Sequence, residues 1–160
     1  MTDTERAAVR RRIAASPSDV FAVISDPSMH VQIDGSGMLM AAPDATTLQH
    51  VGDTFEMDMD REPLGDVPLG KYKVLNTVTR IDGDTLLEWN VGGLGREPFG
   101  HVYGYELVAV GDDATDVTLY YDWSGVPPEM LELVTFPVVP VHMLEQSLEN
   151  LDRILTQADS

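Results

Sequence analysis

Residues 100–125 read GHVYGYELVAVGDDATDVTLYYDWSG, and the period of this stretch decides the fold. His101, Tyr103, Tyr105 and Leu107 fall on one side of an alternation whose other side is Val102, Gly104 and Glu106. Gly111-Asp112-Asp113 breaks the pattern with a turn. It then resumes, with Val117, Leu119, Tyr121 and Trp123 opposed to Thr118, Tyr120 and Asp122. Successive side chains of a strand point to opposite faces, so this is an antiparallel hairpin with one apolar, aromatic face.

The same period runs upstream. Phe55, Met57 and Met59 alternate with Glu56, Asp58 and Asp60; Tyr72, Val74, Asn76 and Val78 with Lys71, Lys73, Leu75 and Thr77; Leu87, Trp89 and Val91 with Glu88 and Asn90. Asp82-Gly83-Asp84 and the cluster Gly92–Gly95 read as the connecting loops. Short direct connections make a meander.

The two ends of the chain read differently. Residues 6–15 form a first strand, with Val9 and Ile13 on one face. Ser16-Pro17 opens a helix, because serine caps well and proline suits the first helical position. Asp26-Pro27 stops that helix, and a second covers about 27–33 before the turn cluster Asp34–Gly37. The last 33 residues return to a helical period, with an apolar stripe of Met130, Leu133, Val134, Val141, Leu144, Leu148, Leu151 and Leu155. Pro137 and Pro140 inside it predict a kink.

The order is strand, two short helices, six- to seven-stranded curved antiparallel sheet, long C-terminal helix: an α+β layout in one domain over residues 1–160. One helix cannot cover both ends of such a sheet, so the sheet wraps the helix and leaves space between them. Apolar and aromatic side chains around a few polar groups are what line small-ligand sites.

Composition narrows the function classes. Of 160 residues, 43% are hydrophobic and 23% charged, the profile of a globular chain. Ten Lys+Arg against 27 Asp+Glu give a net charge of −17, a field that repels phosphate backbones and anionic membrane surfaces. No nucleic acid is expected as a partner. There is no cysteine, which excludes disulfides, thiolate catalysis and Cys-ligated metals. The start, MTDTERAAVRRR, lacks the apolar core of a signal peptide, and no apolar run approaches the roughly 20 residues of a membrane span. The expected location is the cytoplasm. No P-loop, Rossmann fingerprint, His-Glu-x-x-His or Gly-x-Ser-x-Gly motif is present. No metal or cofactor is expected, since His142, Glu145 and Gln146 make a poor metal site.

The segments Ile13–Phe21 (IAASPSDVF), Ser36–Met40 (SGMLM), Gly100–Leu107 and Tyr121–Gly125 carry a resemblance to a known family. The chain resembles the SRPBCC superfamily, the START-like or Bet v-type helix-grip proteins, and within it the bacterial polyketide cyclase/dehydrase and lipid transport branch. The resemblance covers nearly the whole chain and implies the helix-grip fold. It implies no single activity, because the family includes cyclases, hormone receptors and lipid carriers.

Three functions follow as expectations. The first is binding of a hydrophobic (aromatic, polyketide or lipid-like) small molecule by Met57, Met59, Asn76, Trp89, Tyr103, Tyr105, Tyr121, Trp123, Met130 and Val134. Buried hydroxyls and indole N–H groups need partners, which a ligand or water supplies, although aromatic residues at alternate positions also build ordinary cores. Asn76 is either a member of a structural network or a ligand contact. Met38, Met40 and Met143 add adaptable walls. The second function is a polyketide cyclase or dehydratase with His101 as acid/base beside Tyr103 or Tyr105, against a structural histidine bonded to backbone. His30 and Asp34 form another conceivable catalytic pair, with turn capping the ordinary role of Asp34. Arg11 either enters the groove or belongs to an edge-strand charge patch. The third function is a homodimeric interaction module.

Overall fold

In the computed structural model, residues 6–42, 46–60, 71–93, 98–126, 129 and 141–157 are described. Seven strands form one antiparallel sheet: β1 (Arg6–Ile13), β2 (Leu39–Ala41), β3 (Thr54–Asp60), β4 (Lys71–Asp82), β5 (Leu86–Gly93), β6 (Pro98–Val110) and β7 (Ala114–Asp122). Their order is β1-β7-β6-β5-β4-β3-β2. The meander expected from the alternation therefore runs from β2 to β7. The first strand joins it at the far edge, beside β7.

Helices α1 (Pro17–Ile24) and α2 (Pro27–Ile33) carry the chain from one edge of the sheet to the other. Both begin as their sequences dictate. Ser16 Oγ accepts from the backbone N–H of Asp19 at 3.2 Å, and Asp26 Oδ1 from that of Ser28 at 3.0 Å, with a proline in the first turn of each helix. Asp34 closes α2 and takes up the capping role read for it. Its carboxylate accepts from Ser36 N (3.0 Å), Ser36 Oγ (2.7 Å) and Leu39 N (3.2 Å).

The C-terminal helix, α3 (Val141–Gln157), packs against β1, β7 and α2. Leu144, Leu148 and Leu151 are its buried stripe. They join Ile13, Val20, Ile24, Ile33 and the inward residues of β3–β7 in one core. Sheet and helices thus form the helix-grip α+β arrangement.

Four readings need correction. The first strand stops at Ile13, two residues early, where the Ala15 N–H turns back to the Ile13 carbonyl at 2.9 Å. The glycine cluster is not all loop, since β5 continues through Gly92, paired with Pro98, to Gly93; Leu94 and Gly95 lie outside the described residues. Val141, placed in the apolar stripe, is 45% exposed at the start of α3, and the buried stripe begins with Leu144. Met40 is 46% exposed at the outer edge strand and builds no wall. The kink expected at Pro137 and Pro140 lies outside the described residues. Among the described residues, no helix is long and apolar enough to cross a membrane.

Candidate functional site

The register of the sheet lines up the aromatic side chains. Trp89 of β5 stands opposite Tyr103 of β6, and Tyr103 opposite Tyr121 of β7. Since i and i+2 share a face, the same side carries Leu87, Val91, His101, Tyr105, Leu119 and Trp123. The rings of Tyr103 and Tyr121 stack with centroids 4.4 Å apart and planes 14° from parallel. Trp89 lies 6.2 Å from Tyr103, and Trp123 5.3 Å from Tyr121. His101 meets the tyrosine pair edge-on, 6.0 Å from Tyr103 and 5.6 Å from Tyr121. These rings make a continuous wall across three strands.

A second row crosses β3, β4 and β5 as Phe55, Asn76 and Val91. From α2, His30 inserts at the junction of the two rows, 5.4 Å from Phe55 and 4.9 Å from Trp89. Its Nε2–H donates to the Ile24 carbonyl at 2.6 Å. Burial pushes its pKa below the ordinary 6.5, so the ring is neutral there; the Ile24 carbonyl, Asp26 and Asp34 oppose that shift without overcoming it.

Burial changes along the strands. At one end Phe55, Val78, Leu87, Leu107 and Val117 are sealed, with α1 against β6 and β7. At the other end Met59, Tyr72, Val91, His101 and Tyr103 keep accessible surface. The inner face is therefore fully buried at one end and partly accessible at the other, and the aromatic wall spans both.

The phenols of Tyr103 and Tyr105 are held in their neutral forms. Burial pushes the Tyr103 hydroxyl well above the usual phenol range, and the neighbouring Tyr121 and the Asp34 charge push the same way. Burial raises Tyr105 likewise, with Asp34 adding to it. Neutral phenols give and accept hydrogen bonds but supply no phenolate. Asn76 is 4% exposed, and its Oδ1 has no hydrogen-bond partner.

Of the residues read from sequence, Met57, Met59, Asn76, Trp89, His101, Tyr103, Tyr105, Tyr121 and Trp123 share this inner face. Met130 and Val134 lie outside the described residues. Arg11 does not enter the groove; it is exposed and pairs with Asp152 of α3 at 2.7 Å. Asp58 pairs with Lys73 at 2.8 Å on the outer face. His142, Glu145 and Gln146 are exposed on α3. Phe55 and Tyr72 belong to the face but were not singled out, although each lies in phase with a chosen residue, Met57 and Asn76. The ring contacts of His30 depend on how α2 docks, which no local pattern signals.

No family model matches the sequence. An uncharacterized protein of Mycobacterium tuberculosis, Rv0088, is 28% identical over 113 residues, which cover 71% of this chain and 45% of that protein. The matched part thus spans under half the length of that relative. A START superfamily protein from Mycobacterium smegmatis superposes with a TM-score of 0.63 at 13% identity, covering 96% of this chain and 98% of that one. Norcoclaurine synthase from Thalictrum flavum, solved with dopamine and hydroxybenzaldehyde, superposes with a TM-score of 0.60 at 18% identity, covering 97% of this chain and 88% of that one. These likenesses show the fold.

Proposed function

We propose that this chain, which has the START-like helix-grip fold, binds a hydrophobic small molecule with an aromatic or lipid-like body on the partly accessible half of its inner face. The observation that carries the proposal is the wall of Trp89, Tyr103, Tyr121 and His101, continuous across three strands and still accessible at Tyr103 and His101. Large amphipathic rings suit a flat apolar ligand, whose faces they cover while their polar atoms orient it. Burying roughly 300 Å² of ligand at about 25 cal/mol per Å² supplies about 7–8 kcal/mol. Association takes several kcal/mol back, which leaves affinity in the micromolar range. The norcoclaurine synthase structure, with two aromatic molecules bound on the same fold, supports an aromatic class.

Native mass spectrometry of the freshly purified protein, followed by denaturing extraction, tests the proposal. A discrete adduct released on unfolding is the expected result. A clean apo mass, together with no binding of added aromatics or lipids, sinks it.

A second reading is turnover, with this face as a polyketide cyclase or dehydratase site. The observation favouring it is the edge-on contact of the accessible His101 with the Tyr103–Tyr121 pair, where an imidazole meets neutral phenols that can relay a proton. A His101→Ala protein that still turned over a poly-β-keto substrate at the full rate would remove His101 from that role.

A further inference from the structure

We infer that the molecule held by the inner face carries a hydrogen-bond-donating group, a hydroxyl or an N–H, that docks on the side-chain oxygen of Asn76. The inference rests on the ligand-binding reading above and adds the chemistry of the ligand's polar end. Asn76 is 4% exposed, and its Oδ1 has no partner. Across the sheet it faces Phe55 and Val91, and along β4 it is flanked on the same face by Val74 and Val78. None of these side chains can donate a hydrogen bond. A valine at this position would continue the pattern of β4, whereas a buried amide oxygen left alone is disfavoured in a folded protein and is rarely kept. A ligand that donates to it resolves the conflict.

The partly accessible half of the face comes close to this oxygen, because Val91, directly opposite on β5, keeps accessible surface. The oxygen itself is covered in the free protein, so a docking ligand parts the side chains over it. An amide oxygen only accepts, so ethers, ketones and carboxylates gain nothing there. An anionic end meets, in addition, the net charge of −17. The recognised class is therefore a neutral or cationic aromatic alcohol, phenol or amine.

Naphthol and its methyl ether form a probe pair that differs in this one donor. Dissociation constants are measured by equilibrium dialysis for the wild-type protein and for Asn76→Leu. The wild type is expected to prefer naphthol roughly 3- to 10-fold, the effect of one neutral hydrogen bond. In Asn76→Leu the preference is expected to vanish through weaker naphthol binding, with the ether bound as well as before. Where leucine impairs folding, Asn76→Val carries the same comparison. Equal or reversed preference in the wild type overturns the inference and leaves the ligand-binding reading standing. A preference that survives in the variant also overturns it, because the donor is then read elsewhere. If neither probe binds, the inference in this form falls, and the ligand-binding reading is decided by the adduct measurement above.

Discussion

Tyr103 and Tyr121 face one another across β6 and β7 with ring centroids 4.4 Å apart, and Tyr121 is wholly buried while Tyr103 keeps an accessible edge. The two rings therefore do different work. Tyr121 is a core side chain, and Tyr121→Ala is expected to cost about 3–5 kcal/mol, as large aromatic truncations do. Tyr103→Phe keeps the stack and loses only the hydroxyl, for about 1 kcal/mol. Urea denaturation of the two variants checks the contrast. Equal losses would contradict the division between them.

His30 makes stability depend on pH. Its folded-state pKa is depressed below 6.5, first by desolvation, so the unfolded chain binds the proton more readily. The neutral ring's contribution is full above 6.5 and is lost as the pH falls from there toward the folded value. The urea midpoint is expected to drop between about pH 7.5 and about pH 5.5, with a slope approaching 1.4 kcal/mol per unit where only the unfolded state is protonated. His30→Gln, whose amide N–H can replace the bond to the Ile24 carbonyl, removes that part of the slope. An unchanged slope in the variant would assign the titration to other groups.

The sheet and the helix starts were legible because they are written at short range. Period two is visible in Phe55-Met57-Met59 and in Val117-Leu119-Tyr121 alike, and Ser16-Pro17 and Asp26-Pro27 state the helix boundaries without reference to anything distant. What was not legible depends on contacts between distant parts of the chain. Arg11 and Asp152 are 141 residues apart, and only the docking of α3 on β1 brings them together. Tyr120 reads as an outward residue by alternation and is nonetheless buried, because Gly104 on the neighbouring strand leaves room for its ring. The unpartnered oxygen of Asn76 depends on what surrounds it across three strands, so the sequence left its role open between network and ligand.

Gly35 lets the turn after α2 press against α3. A Cβ there would collide with the Met143 carbonyl oxygen and lie 2.9 Å from the Ser147 nitrogen, both backbone atoms of a packed helix that cannot turn aside. The Gly35 N–H donates to Ser147 Oγ at 2.8 Å, and Asn150 Nδ2 donates to the Ile33 carbonyl at 2.9 Å. Gly35→Ala is expected to destabilise by about 1–3 kcal/mol through this overpacking. Ser147→Ala, which removes the hydrogen bonds from the Gly35 N–H and to the Met143 carbonyl and adds no bulk, is expected to cost about 1–2 kcal/mol. Chemical denaturation ranks the two, and a harmless Gly35→Ala would mean that α3 does not sit this close.

Gly104 and Tyr120 form a coupled pair on the outer face. A Cβ on Gly104 would run into the Tyr120 ring. That ring cannot swing away freely: its hydroxyl donates to Glu88 Oε1 at 2.6 Å, and the Arg6 guanidinium lies 4.2 Å from its centroid. Glu88 is fixed in turn by Thr79 Oγ1, which donates to its other oxygen at 2.6 Å. Gly104→Ala alone is therefore expected to cost about 1–3 kcal/mol by overpacking. In a Tyr120→Ser background the obstacle is gone, and the same substitution should cost little. A double-mutant cycle measures the difference as a coupling of at least about 0.5 kcal/mol, beyond the additivity seen for independent sites. Additive losses would mean that the Tyr120 ring moves aside without cost, and the tether through Glu88 and Arg6 would then not hold it.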